Sequence, residues 1–227
     1  MNISESVILI TAAGSPLGKA ISLHFASLGA SLALVDTHNK ALQQTLRACQ
    51  AIGSQCQSYL ITSQDEHSVA SMINSVHHRY GKIDVLVNCW LGMKMPPLLG
   101  PEAVDQFRHT MNEAATPFFI FGKHAAQYMC DHHHPGVIIN LATHNDSEQY
   151  AINAGCKAMI TGLTQSWAKE LAAFNIRVGG VVPLTIDQGE QPIAAAGQPM
   201  QYEIVRSAEY IVANDYFNGR MIEAEVI

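Results

Sequence analysis

Charge is scarce in this chain, and its balance is acidic. Only 14% of the 227 residues are Asp, Glu, Lys or Arg, and thirteen basic side chains stand against nineteen acidic ones, for a formal charge of −6. No run of Lys or Arg occurs, which argues against a nucleic-acid partner, because phosphate binding needs a basic face. Long apolar runs are missing too, and none approaches the roughly 20 residues that span a bilayer. The first residues, MNISES, are polar and enter a strand at once, so no signal peptide is expected. Cysteine is sparse: Cys49, Cys56, Cys89, Cys130 and Cys156 are odd in number, scattered and without a CxxC pair. That excludes a regular disulfide framework and predicts reduced thiols in a cytoplasmic protein.

No metal site is expected either. Asp131-His132-His133-His134 is spaced too tightly for a pre-formed internal site and reads as an exposed loop before Pro135-Gly136. His77-His78 reads as a favourable charge at a helix C-terminus. The eleven histidines make net charge sensitive to pH near 6. What the chain does have is apolar side chains, 48% of its residues, enough for much buried surface. Its length suits one sizeable α/β domain over residues 1–227.

The stretch VILITAAGSPLGKA, Val7 to Ala20, organises the rest. A short apolar strand ends at Thr11, small residues turn the chain, and Ser15-Pro16 starts a helix. A buried strand feeding a tight turn and a helix N-terminus offers unpaired N–H groups and a dipole that favours an anion. Alone, this stretch is equally a structural turn.

Strand and helix signals then alternate. Strands are expected at Val7–Thr11, Ser31–Asp36, Gln57–Thr62, Ile83–Asn88, Val137–Ala142, Ile176–Val182 and Arg220–Val226. Helices are expected at Pro16–Leu28, Asn39–Ala51, Asp65–Tyr80, Glu102–Cys130 with an interruption near Pro117, Gln149–Phe174 and Glu203–Ala213. Cys89–Gly100 and residues 184–201 read as loops, and Pro183 as a strand stop. Near-continuous apolar strands separated by helices predict a doubly wound parallel sheet of about seven strands, covered on both faces. Asp36 closes the second strand about 20 residues after the turn, where a carboxylate accepts both hydroxyls of an adenosine ribose and repels a 2′-phosphate. Thr37 and His38 follow, with no Arg, which favours NAD over NADP.

With ITAAGSPLGKAI, LALVD, GKIDVLVN, Asn112, GVIINLAT, CKAMITGLTQSWAKELAAFNIRV and VVP in order, the chain resembles the short-chain dehydrogenase/reductase family along nearly its whole length. The resemblance implies a Rossmann-type fold, a nicotinamide dinucleotide and hydride transfer to or from a carbonyl or alcohol carbon. It places Thr11, Gly14, Ser15, Leu17, Gly18, Asp36, Thr62, Asn88 and Lys157 at cofactor positions. It implies an Asn-Ser-Tyr-Lys tetrad, for which this chain offers Asn112, Thr143, Asn153 and Lys157. Asn153 stands four residues before Lys157, where the family has its proton-donating Tyr, and an amide has no proton to exchange near neutral pH.

The cradle departs from the family pattern as well. Ala12 adds a Cβ where the turn usually has Gly, Pro16 removes an N–H, and Trp90 and Leu91 put bulk after the fourth strand. Tyr150, seven residues before Lys157, and His144, beside Thr143, are the replacements for the missing Tyr that sequence offers. Three readings follow: a weak NAD(H)-dependent oxidoreductase, a nucleotide-binding sensor without turnover, and a structural partner of an active relative. The resemblance also implies a dimer or tetramer through the two long helices, about 102–130 and 149–174, which Ala154, Gly155, Ala158 and Gly162 in the second would let approach closely.

Overall fold

The computed structural model describes residues 1–92, 96, 98–144, 154–183 and 197–224. Four apolar residues, all buried, make β1 (Val7–Ile10). Both its faces are covered, which is why its sequence does not alternate. Ser15 then caps α1 (Pro16–Ser27): its hydroxyl accepts the Gly18 N–H at 3.0 Å, with Pro16 at the first helical position. β2 (Ser31–Asp36), α2 (Asn39–Ala51), β3 (Cys56–Leu60) and α3 (Glu66–Tyr80) follow. α3 starts on the Asp65 carboxylate, which accepts the Ser68 N–H, and stops at Gly81, whose φ of +76° suits a residue without Cβ.

The second half holds β4 (Val85–Gly92), α4 (Ala103–Thr110), a π-helical turn (Met111–Ala115), α5 (Thr116–Asp131) and β5 (Gly136–His144). It continues with α6 (Ala154–Leu171), a 3₁₀ turn (Ala172–Phe174), β6 (Ile176–Pro183), α7 (Gly197–Ala213) and β7 (Arg220–Ala224). The sheet order is β3-β2-β1-β4-β5-β6-β7 and every pairing is parallel. Each face has its own core. Leu9, Leu86, Ile138 and Val178 pack under α3, α5 and α6, with Val76, Phe121 and Trp167. Ile8, Ile10, Val87 and Ile139 pack under α1, α2 and α7, with Phe25, Leu42 and Ile204. Alternate strand residues go to opposite layers, which makes this a single doubly wound domain.

Several expected boundaries move. Cys89–Gly92, read as loop, continue β4, because β5 runs on to His144 and supplies a ladder partner for each of them. β3 ends at Leu60, which leaves Thr62 outside the sheet. Pro183 pairs as the last residue of β6, beside Ala224, rather than standing past its end. Gly197 already begins α7, so the loop expected over 184–201 is shorter at that end; residues 184–196 lie outside the described ones. The interruption near Pro117 is the π turn just before it, where a residue with no N–H breaks the regular ladder.

The histidine run is more built than an exposed loop. His132 and His133 are exposed, but His134 is half-buried and its Nε2 lies 2.7 Å from Asp84 Oδ1. The other Asp84 oxygen accepts the buried Val7 N–H at 2.6 Å and stands 3.1 Å from Lys82 Nζ. Asp84 thus ties the start of β1 to the turn before β5. His77 does end α3, and its Nδ1 also meets the Tyr128 hydroxyl at 2.8 Å.

Candidate active site at the sheet reversal point

From β1 the chain winds outward to β3 on one side and, starting with β4, to β7 on the other. A crevice opens at the carboxyl ends where the winding reverses, between β1 and β4, and ligands of open α/β sheets bind there. The turn after β1 forms its floor. The Thr11 N–H donates to Val87 O at 3.1 Å, and the Thr11 hydroxyl accepts the Cys89 N–H at 2.8 Å. Thr11 therefore stitches β1 to β4 and is buried rather than turned to a ligand. Ala12 is left-handed at φ +49°, a conformation that glycine adopts without strain. Gly14 packs against α2, and a Cβ there would stand 2.8 Å from Ala41 Cβ. At Gly18 a Cβ would fall on the carbonyl oxygen of Ala12, so only glycine lets α1 start this close to the turn.

The donor count of the turn is low. Pro16 has no N–H, and that of Gly18 is held by Ser15. Among the described residues the Leu17 N–H has no partner, as expected at the first turn of a helix, and it is a donor left for an anion.

Asp36 ends β2 beside this turn, only 8% exposed. One carboxylate oxygen accepts the Gly14 N–H at 2.8 Å and the other the His38 N–H at 2.8 Å. The first oxygen, Oδ2, keeps a free acceptor site, whereas the second, Oδ1, also has His38 Nδ1 at 3.3 Å. The carboxylate also acts on its neighbour: burial and Asp36 push the Cys89 thiol up to about 12, which disfavours the thiolate.

Asn88 is buried. Its amide donates to Phe118 O at 2.9 Å, while its Oδ1 has no partner among the described residues. Asn88 borders a cavity of about 80 Å³ shared with Thr11, Ala12, Gln64 and Phe118. Thr62 is exposed, in the bend after β3. Asn112 is exposed and sits in the π turn. Thr143 lies near the end of β5, paired in register with Leu91, and His144 follows it opposite Gly92. Lys157 occupies the first turn of α6, and its Nζ lies 2.7 Å from Glu223 Oε1. Asn153 and Tyr150 lie outside the described residues.

The fold thus brings Thr11, Gly14, Ser15, Leu17, Gly18, Asp36 and Asn88 to one crevice and puts Thr143 and Lys157 on the adjoining elements. Glu223 escaped the sequence reading. Its signal was a carboxylate within the apolar strand RMIEA, but nothing local says which cation it meets.

A profile of the short chain dehydrogenase family matches residues 6–192. The chain belongs to that family. Among short-chain dehydrogenases, the 3-oxoacyl-[acyl-carrier-protein] reductase of Thermotoga maritima is 30% identical over 189 residues, 81% of this chain and 75% of the relative. Sorbitol-6-phosphate 2-dehydrogenase of Klebsiella pneumoniae is 29% identical over 195 residues, 81% and 70% of the two chains. A crystal structure of a short-chain type dehydrogenase/reductase from Mycobacterium marinum superposes with a TM-score of 0.81 at 25% identity, covering 98% of this chain and 94% of the other. Membership assigns this short-chain dehydrogenase to NAD(P)-dependent oxidoreduction. The residues present fit a dinucleotide: the Asp36 carboxylate is held at the crevice with an acceptor site free on Oδ2, and glycine at position 18 lets α1 start close to the turn. Among the described residues no three His, Cys, Asp or Glu gather as a metal site, and no helix is long and apolar enough to cross a membrane.

Proposed function

We propose that this short-chain dehydrogenase prefers NAD(H) to NADP(H), acts on a carbonyl or alcohol carbon, and turns over slowly. Residues 1–227 form one nucleotide-binding domain in this reading. The observation that carries it is Asp36. A buried carboxylate, fixed by two backbone N–H groups, accepts ribose hydroxyls and repels a 2′-phosphate. Leu17 with Gly14, Ser15 and Gly18 faces the pyrophosphate, Thr62 the adenine, and Lys157 the nicotinamide ribose. Thr11 and Asn88 hold the floor of the site.

When bound, the nicotinamide supplies the hydride. On the protein side, Thr143 polarises the substrate carbonyl and Asn112 supports the proton relay. Asn153 occupies the proton donor's place without a proton to give, which removes the factor of about 10²–10⁴ that general acid catalysis supplies.

Titration with NADH and NADPH, read by energy transfer from the two tryptophans and by calorimetry, tests the cofactor reading. NADH is expected to bind at least tenfold more tightly. Equal affinity, or a preference for NADPH, overturns it. Asn153→Tyr is then expected to raise turnover toward the lost factor with little change in NADH affinity. Turnover unchanged in that variant would mean that more than the donor is missing.

A dimer through α5 and α6 completes the proposal. The two helices share a groove of about 460 Å³ that includes Trp167, with Phe119 and Phe174 about half exposed beside it. Apolar surface of this kind supports burial against a second copy. Sedimentation is expected to give a dimer or tetramer at micromolar concentration, and a monomer there refutes it. All five cysteines are free thiols, which supports a cytoplasmic location.

A further inference from the structure

The ammonium of Lys157 is already in use. Its Nζ stands 2.7 Å from Glu223 Oε1, a charge-assisted hydrogen bond between the first turn of α6 and the edge strand β7. The geometry has a simple origin. β7 pairs in parallel with β6, which places Glu223 beside Val182 at the carboxyl end of the sheet. Residues two apart on a strand share a face. Met221 packs in the core layer that holds α6, and Ile222 packs in the opposite layer. Glu223 therefore points to the α6 side, where Lys157 descends from the helix start. Lys157 is 32% and Glu223 46% exposed, so the pair is partly solvated at the carboxyl end of the sheet and not in the core.

We propose that Glu223 is a positioning residue that holds Lys157 ready for the nicotinamide ribose, and so makes the edge strand β7 part of the cofactor site. This rests on the cofactor reading above. Lysine carries three N–H donors, and Glu223 takes one, which leaves two for ribose hydroxyls. A free lysine has four rotatable bonds to order when it engages a ligand, whereas a pinned one has already lost that freedom. Glu223 contributes to affinity through Lys157 and not by touching the cofactor. Removing Glu223 should therefore matter only while Lys157 is present.

The test is a double-mutant cycle on NADH affinity, read by calorimetry, with Tm measured in parallel. Glu223→Ala is expected to weaken NADH binding about three- to tenfold, the range set by ordering one long side chain. Glu223→Gln, which keeps a neutral acceptor, recovers part of the loss. Lys157→Ala weakens binding further, and the double variant binds no worse than Lys157→Ala alone. A purely structural pair would lower the Tm of Glu223→Ala and leave its Kd unchanged, which overturns the proposal. The same loss in the Lys157→Ala background overturns it as well. Should the unmodified protein not bind NADH at millimolar concentration, the cofactor reading itself falls and takes this proposal with it. Binding by the unmodified protein with no effect of Glu223→Ala refutes the positioning role alone.

Discussion

Ala12 offers the sharpest test of the turn, because opposing effects of similar size meet at one methyl group. At φ +49° its Cβ crowds the following backbone, which costs a non-glycine residue about 1–2 kcal/mol. Ala12→Gly removes that strain. It also frees the unfolded chain, at about 0.4–1 kcal/mol. Loss of a half-buried methyl costs about 0.4 kcal/mol more. The balance spans about −0.4 to +1.2 kcal/mol and is centred on a gain of about 0.4 kcal/mol for Ala12→Gly, or roughly 1–2 °C in Tm for a domain of this size. Ala12→Val is the counterweight, since a β-branched residue is far less tolerant of positive φ and loses at least about 1 kcal/mol. Urea unfolding of both variants, beside the parent, gives the order Gly above Ala above Val. Ala12→Val matching Ala12→Gly in stability would refute the assigned backbone geometry, and so would a loss of more than about 1 kcal/mol in Ala12→Gly.

Two further perturbations address other parts of the scaffold. Asp84→Ala leaves the buried Val7 N–H without its acceptor and frees His134, and is expected to cost about 2–3 kcal/mol, read as a Tm lower by roughly 4–12 °C. Asp84→Asn retains an acceptor and loses clearly less; equal losses in the two would show that the Val7 bond is not the source. Asp65 caps α3, and its hydrogen bonds to Ser63 and Ser68 lower its carboxyl from 3.8 to about 2. A lowered value stabilises the fold above the unfolded pKa, and that contribution fades as pH falls from about 4 to 2. Asp65→Asn keeps a capping oxygen without a titrating proton, so its stability falls less steeply across that window; identical acid limbs for variant and parent would refute the capping role.

The sequence made the scaffold readable because its signals were local and repeated. Four buried apolar residues before a small-residue turn, Ser15-Pro16 at a helix start, and Val69, Met72, Ile73 and Val76 at helical spacing each point to one structure. The failures were nonlocal. Cys89 to Gly92 carry a loop-like context before Pro96-Pro97, but β5 lies alongside and pairs them. His134 reads as one of three loop histidines until Asp84 is brought to it. Ala12 was suspect from motif shape alone, and its positive φ bears that out. Nothing in the sequence joined Lys157 to Glu223, since the contact depends on which strand closes the sheet.

The same distinction separates the two ends of the cofactor site. At the proposed adenosine end the group is a carboxylate at a strand terminus, Asp36, and backbone N–H groups fix it from both sides. Such a site survives changes elsewhere, because main-chain donors do not depend on side-chain identity. At the proposed nicotinamide end the parts are residues on separate elements: Thr143 on β5, Lys157 on α6, Glu223 on β7. The Lys157–Glu223 pair shows how such parts come to depend on one another, so a substitution at one is felt by the other. Affinity for the dinucleotide and rate of turnover are therefore expected to come apart in this protein. Changes in the β1 turn and at Asp36 should move binding, whereas changes at Asn153 should move turnover. Glu223 lies at the junction, on the chemical side of the crevice yet acting on affinity, and its response will show how far the two ends are independent.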